Sequence, residues 1–365
     1  MTDDYYMIGY IREGPQALRK TLQANETSVL SIAERVRVQG IRRIILTGLG
    51  SSYTAAMMAS PIFTNYCPLP VTILPATELS LYKERLIDEN CLVISISRSG
   101  ERGAVVDAVV EARKRKALGI AITGSPDSLL AGQAQLALIT QEGAEITFPK
   151  TKSVLACAGL LMRLGLSLAA KEDKQAAAQA QALAELPEAV NATIQSVEPV
   201  VRELIPSIQR HELIAVTGSG SNIGVALEAA IKIQEAAYLP TRGESTISLV
   251  HGPTGALNAR WLVVPLVTHD DQEVSTDLLK LCRKFGAHSL CIQAPDVDLN
   301  GLFDFAVQVP VLVDPFLSAL VYLPPIQLLT YYWTVARNMN PDAPTSMHAI
   351  LDAILPPGRS EPELH

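Results

Sequence analysis

The chain has 365 residues, with 48% apolar and 18% charged side chains, so it is long enough for two ordinary domains with their own cores and too apolar to be disordered. A net charge of -7 and only 5% aromatics argue against a nucleic-acid partner. They leave open a local site for a small anion.

Cys67, Cys91, Cys157, Cys282 and Cys291 are odd in number and form no C-x-x-C pair. They read as reduced core thiols of a cytoplasmic protein, with no metal knuckle and no disulfide frame. Met1-Thr2-Asp3-Asp4 lacks the basic-then-apolar pattern of a signal peptide. The most apolar late stretch, 305–329, is interrupted by Gln308, Pro310, Asp314, Pro315 and Pro324-Pro325. It reads as a strand followed by a core helix, and no membrane partner is expected.

In chain order, Gly14-Pro15 precedes a predicted helix over 16–38, with apolar residues at Leu22, Val29, Ile32 and Val36. Strands are predicted at 43–47, 71–74, 91–96, 118–122 and 136–139. Helices fall between them at 52–62, 102–115 and 126–131, the last with Ser125 as N-cap and Pro126 at its first position. The strands are continuous apolar runs, which implies burial on both faces, and the alternation implies a parallel, helix-covered sheet. Residues 151–210 read as all-helical, with helices at 153–170 and 171–197 and a break at Leu186-Pro187. The strand pattern then resumes at 213–217, 262–267, 289–292 and 305–309, with helices at 222–237, 274–285 and 316–336.

The second half repeats the first. Thr47-Gly48-Leu49-Gly50-Ser51 and Thr217-Gly218-Ser219-Gly220-Ser221 each follow an apolar strand and open a helix. A strand–T-G-x-G-S–helix unit found twice in phase points to duplication. Glycines and hydroxyls at a helix start suit an anion, since free amides and the helix dipole face it. The loop is no Walker motif, because no Gly-Lys-Ser/Thr follows. Ser95-Ile96-Ser97-Arg98-Ser99-Gly100-Glu101 is a sharper candidate: an N-cap explains one serine, not three around a glycine. A third polar segment, 145–153, reads as a loop with basic residues ending at a helix start. In the second half, Glu228, Lys232 and Glu235 share one helix face. That stripe is either a solvent face or an ionisable site. His251 lies in a Gly-Pro turn sixteen residues beyond Glu235.

These stretches together resemble the SIS (sugar isomerase) domain family, in the two-lobed arrangement of the isomerase half of glucosamine-6-phosphate synthase. The matching motifs are G-S-S-Y at 50–53, S-R-S-G-E at 97–101, E-I-x-x-x-x-T-K at 145–152, A-L-E-A-A-I-K-I-Q-E at 226–235 and H-G-P at 251–253. The resemblance implies an α/β fold of two tandem three-layer αβα lobes, each with a mostly parallel sheet. The lobes would be 25–170 and 201–340, with an N-terminal segment 1–24, a helical linker 171–200 and a tail 341–365. It implies phosphate binding by Ser51, Ser52, Ser97, Arg98, Ser99 and Thr151. It implies catalysis by Glu235, His251 and Lys232, with Gly50, Glu228, Lys152 and His348 near the substrate and no cofactor. It also implies a homodimer whose partner subunit supplies the histidine.

The sequence departs from that family in places. Arg98 and Arg102 stand where the synthase has neutral Gln and Thr. That implies tighter phosphate binding or a further anionic group on the substrate. The stretch 342–349 has no lysine where the synthase tail has one, and His348 sits beside that place. No cysteine follows Met1, so glutamine-dependent amidotransfer is not expected. The expected reaction moves a proton between C1 and C2 of a 6-phosphosugar or amino-sugar phosphate, as an isomerase, deaminase or fructosamine-6-phosphate deglycase. The alternative is a non-catalytic sugar-phosphate sensor, although the roughly forty residues before the first strand are few for a DNA-binding domain plus linker. A structural protein without ligand would leave the repeated Ser/Gly loops unexplained.

Overall fold

The computed structural model describes residues 5–101 and 103–344. His348 and Arg102 lie outside them. The first half contains α1 (Tyr6–Val38), β1 (Arg43–Gly48), α2 (Ser51–Tyr66), β2 (Val71–Pro75), α3 (Ala76–Leu86), β3 (Cys91–Ile96), α4 (Gly103–Lys114), β4 (Leu118–Thr123), α5 (Leu129–Gln133) and β5 (Leu136–Ile139). Two helices follow, α6 (Lys152–Ser167) and α7 (Lys174–Ile208). The second half contains β6 (Leu213–Gly218), α8 (Asn222–Ala237), β7 (Thr241–Ser245), α9 (Thr246–Val250), β8 (Trp261–Val267), α10 (Gln272–Phe285), β9 (His288–Gln293), β10 (Phe305–Gln308) and α11 (Ala319–Ala336).

Each half builds one five-stranded, all-parallel sheet, ordered β2-β1-β3-β4-β5 and β7-β6-β8-β9-β10. The orders are identical strand for strand, which is the duplication read from the T-G-x-G-S loops. Alternate strand residues feed different layers. Ile44, Leu46, Ile214, Val216 and Val264 face a single large core shared by both halves. Ile45 and Val93 face a separate cluster with Ala108 and Ala112 of α4, and Ala215 and Val263 face another with Leu278 of α10. The architecture is therefore two three-layer α/β lobes joined through a common helical layer that includes α1, α2, α6, α7, α8 and α11.

Tertiary packing overrides several local signals. α1 continues through Gly14-Pro15, because this stretch is buried and α1 packs on α6. The predicted break at Leu186-Pro187 does not occur: α7 runs unbroken past Pro187, Pro199 and Pro206 with one face in the core. The N-cap of α5 is Ser128, whose Oγ accepts from the Ala131 amide at 3.3 Å, and not Ser125. Strand β7, sequence Thr-Arg-Gly-Glu-Ser, carries no apolar pattern and reads as loop, yet it pairs with β6 along the sheet edge. The short helices α3 and α9 also lack a clear period. The start of α1 is held from far away, as the Asp342 carboxylate accepts from the Tyr6 and Met7 amides, each at 2.8 Å.

The two lobes meet where α2 crosses α8. A Cβ added to Gly224 would lie 2.4 Å from the Met58 backbone nitrogen, so only glycine lets the helices approach this closely. Gly224→Val is expected to cost about 1–3 kcal/mol of stability by overpacking. It should also impair whatever chemistry depends on α8. A thermal melt with no loss would contradict a backbone-to-backbone contact here.

Candidate active site

A cleft of about 300 Å³ opens at the C-terminal ends of the first sheet's strands. It lies where β1 is flanked by β2 on one side and β3 on the other, the switch point at which open parallel sheets bind ligands. Ser51 and Ser52 enter from the start of α2, Arg98 from the loop after β3, and Lys150 and Ser153 from the start of α6. Leu49, Ile96, Ile122, Val154 and Cys157 form the apolar wall. One lining residue comes from the second lobe: Glu235 of α8. A larger groove of about 750 Å³ along α7 carries Glu185, Glu188 and Asp314 and no base, so it is unsuited to an anion.

Glu235 is held by α8 itself. Its Oε2 lies 2.5 Å from the Lys232 Nζ, and the Glu228 Oε1 lies 3.8 Å from that same nitrogen. Lys232 and Glu228 are buried, so the stripe on α8 is no solvent face. Burial opposes the charge of Lys232, but Glu235 and Glu228 more than offset this and keep its pKa above the ordinary value. Burial raises the pKa of Glu228, against the pull of Lys232 and Thr54. Thr54 Oγ1 lies 2.5 Å from Glu228 Oε2 and 3.0 Å from the Ser51 carbonyl. A hydroxyl has one proton. Both contacts are satisfied if Glu228 is protonated and donates to Thr54 Oγ1, which then donates to Ser51.

Other expected site residues support the loops. Gly50 caps α2 at φ +53°, a conformation glycine adopts without strain. Ser97 is buried, and its Oγ accepts from the Gly100 amide at 3.1 Å, so it ties the loop after β3. Ser99 is exposed, with its Oγ 3.5 Å from the Glu101 amide. Neither lines the cleft. Thr151 does not face it either: its amide and hydroxyl both donate to Glu145 Oε1, at 2.6 and 2.8 Å. The Glu145 carboxylate also receives the amides of Lys152 and Ser153, so it already occupies the anion position at the start of α6. Lys152 turns away, 2.6 Å from Glu13 and over the Tyr10 ring. His251 is exposed at the C-terminal end of α9 and is not among the residues lining the cleft.

Sequence reasoning missed Lys150 and Cys157. Lys150 sits at an unassigned position of the 145–152 stretch, and Cys157 is spaced as a core residue. Burial, and then Glu142, push the Cys157 thiol up to about 12, so it is a wall residue and no nucleophile. Among the described residues no group of three or more potential metal ligands occurs, and no helix is long and apolar enough to cross a membrane.

In the second lobe the equivalent loops are bonded to nearby groups of the same lobe. Thr268 takes the place of Ser97 after β8, and its amide and hydroxyl donate to Asp271 Oδ1 at 2.7 and 3.0 Å. Ser221, the counterpart of Ser51, gives its hydroxyl to the Pro315 carbonyl at 2.8 Å.

The SIS domain family profile matches residues 39–165 and 207–337, one copy per lobe, and the chain belongs to that family. It is 29% identical over 351 residues to a glutamine–fructose-6-phosphate aminotransferase (isomerizing) of Thermococcus kodakarensis, covering 94% of this chain and 57% of the relative. The chain thus spans little more than half of that protein. The C-terminal domain of glucosamine-fructose-6-phosphate aminotransferase from Francisella tularensis superposes with a TM-score of 0.83 at 22% identity, over 93% of this chain and 98% of that one. Tagatose-6-phosphate ketose/aldose isomerase from Escherichia coli superposes with 0.80 at 21%, over 93% and 95%. At such identities the structural likeness establishes the fold.

The buried acid on α8 has a measurable signature. A carboxyl whose pKa rises on folding binds its proton more tightly in the folded chain. Stability therefore falls as pH climbs from its ordinary value near 4.5 toward the folded value. Glu228→Gln keeps the shape and removes the titration. It is expected to flatten the decline of Tm above about pH 4.5 in calorimetry, and an unchanged slope would argue against a proton held on Glu228.

Proposed function

We propose that the chain is an enzyme that binds a 6-phosphosugar or amino-sugar phosphate in the cleft and moves a proton between its C1 and C2. The observation that carries this is the position of Glu235: a carboxylate from the second lobe stands in the wall of a cleft whose other polar groups come from the first lobe. A ligand binder needs only the serines and cations. A carboxylate held 2.5 Å from a buried lysine, facing the same space, is a general base in a defined orientation.

In this reading the first lobe, taken as 25–170, grips the phosphoryl group with Ser51, Ser52 and Arg98, and Ser97 and Ser99 shape the loop that carries Arg98. The second lobe, taken as 201–340, supplies the proton carriers. Glu235 takes the proton from the carbon next to the carbonyl of the open-chain sugar, giving an enediol or enaminol, and returns it to the neighbouring carbon. Lys232 is a positioning residue that orients this carboxylate. His251 assists ring opening. Because it is exposed and off the cleft of its own chain, it acts in the cleft of the partner subunit of a homodimer. The relatives named as aminotransferase and isomerase act on ketose 6-phosphates by their names, which supports that substrate class. The chemistry needs only residues of the two lobes and no glutamine-dependent amidotransfer. An isomerase stops after proton return. In a deaminase or deglycase, proton return leaves an imine, which water hydrolyses to release the amine and form the carbonyl.

Glu235→Gln is expected to lower turnover of the true substrate about 10²–10⁴-fold with little change in binding. The assay compares fructose 6-phosphate with fructosamine 6-phosphates, and survival of activity within a few-fold would refute the assignment. For the shared site, mixing inactive Glu235→Gln with inactive His251→Ala protein and allowing exchange should restore activity in the mixed dimers. Failure to complement, with exchange verified, would place the histidine's role elsewhere.

A further inference from the structure

Most charges around the cleft are already matched. Lys232 pairs with Glu235, Lys152 with Glu13, and Glu145 is committed to the amides of α6. Two cations facing the cleft are matched less closely. Arg98 approaches Glu142 only at 3.5 Å, and its buried Nε has no hydrogen-bond acceptor. Lys150 forms no ion pair among the described residues. Its Nζ donates instead to the backbone carbonyls of Glu145, at 3.0 Å, and Thr147.

Those two carbonyls tether the Lys150 amine, so it does not reach for solvent as a surface lysine does. Arg98 is anchored on the loop after β3, whose Ser97–Gly100 bond fixes its course. The fold therefore holds two cations facing one small space, where they repel each other. Burial first, and Arg98 next, lower the Lys150 pKa to about 8. Like charges kept together in a partly dehydrated cleft are unfavourable unless an anion lies between them.

We infer that Lys150 and Arg98 form a two-cation clamp on the substrate's phosphoryl group, beside the hydroxyls of Ser51 and Ser52. This rests on the sugar-phosphate reading of the cleft and adds a binding and specificity residue to it. A cradle of hydroxyls and amides accepts many anions. A tethered cation pair selects a dianionic phosphate monoester over a neutral sugar and fixes which end of the substrate turns toward Glu235.

The test reads binding, not turnover, so it separates the clamp from the proton-transfer chemistry. Calorimetric titrations of the full chain with fructose 6-phosphate, inorganic phosphate and fructose are compared for wild type, Lys150→Gln, Lys150→Arg and Arg98→Gln. Lys150→Gln and Arg98→Gln should each weaken fructose 6-phosphate about tenfold or more, weaken inorganic phosphate in parallel, and leave fructose unchanged. Lys150→Arg should stay within a few-fold of wild type. If Lys150→Gln does not fold, as circular dichroism would show, Arg98→Gln and Lys150→Arg still decide the matter.

A second readout is proton uptake. At about pH 8.5 the phosphate is already a dianion, and its binding should load a proton onto Lys150. Titration in two buffers of different ionisation enthalpy measures this. Loss of the uptake in Lys150→Gln assigns it to that amine rather than to Arg98, Glu145, Lys232 or Glu235, the charged groups facing it. The clamp is overturned if Lys150→Gln binds fructose 6-phosphate within twofold of wild type, or if fructose weakens equally. It is also overturned if only a ligand with an added carboxylate, such as a glycated amino acid 6-phosphate, loses affinity. That last result would make Lys150 a carboxylate subsite. Wild-type protein that binds neither phosphate ligand would defeat the sugar-phosphate reading itself. Charge-dependent binding without turnover of any sugar phosphate would defeat the proton-transfer reading alone.

Discussion

The candidate site depends on one close helix crossing. α2 starts at the Ser51-Ser52 end of the cleft, and α8 carries Glu235 in its last turn. The two helices belong to different lobes, and they meet through the missing side chain of Gly224 against the backbone of Met58. From that contact the rest of α8 follows by its own geometry. One turn on, Glu228 reaches Thr54 of α2. A further turn on, Lys232 lies below, and three residues later Glu235 reaches the cleft. A helix is stiff, so a constraint at its first turn sets where its last turn arrives.

The same crossing accounts for the charge pattern on α8. Packing on α2 buries Glu228 and Lys232, and buried charges must be matched or neutralised. Lys232 takes Glu235 as its close partner, while Glu228 leans on Thr54 and is driven toward its neutral form. The result is a carboxylate at the cleft that is fixed in direction by an ion pair, with the residual acid kept out of the way. Removing one member of such a buried set costs more than the set contributes, because the others are left unmatched.

Duplication supplied two equivalent sets of strand-to-helix loops, and local side chains bond them differently. In the second lobe Asp271 answers the amide and hydroxyl of Thr268, and Ser221 is bound to the Pro315 carbonyl. In the first lobe the corresponding loop holds itself with Ser97, and the Glu142 carboxylate approaches it only at Arg98, at 3.5 Å. The Glu145 carboxylate, which would compete for an anion at α6, is drawn into that helix's own amides. An open crevice with two under-matched cations is what remains.

By itself the amino-acid sequence determined the parallel-sheet class, nine of the strands and the in-phase repeat. Continuous β-branched runs have few ways to bury two faces, and a Gly-Ser turn between strand and helix has a local signature. The i, i+4, i+7 spacing of Glu228, Lys232 and Glu235 placed them on one helix face, again a local property. Tertiary structure alone decided the rest. It carried α1 and α7 through their prolines, made a strand of Thr241–Ser245, buried the acidic stripe and set Thr151 against Glu145. It also brought Lys150 and Arg98 into the lining of one cleft. Each of those outcomes rests on partners or packing surfaces that folding supplies, and no window of local sequence contains the contact that decides it.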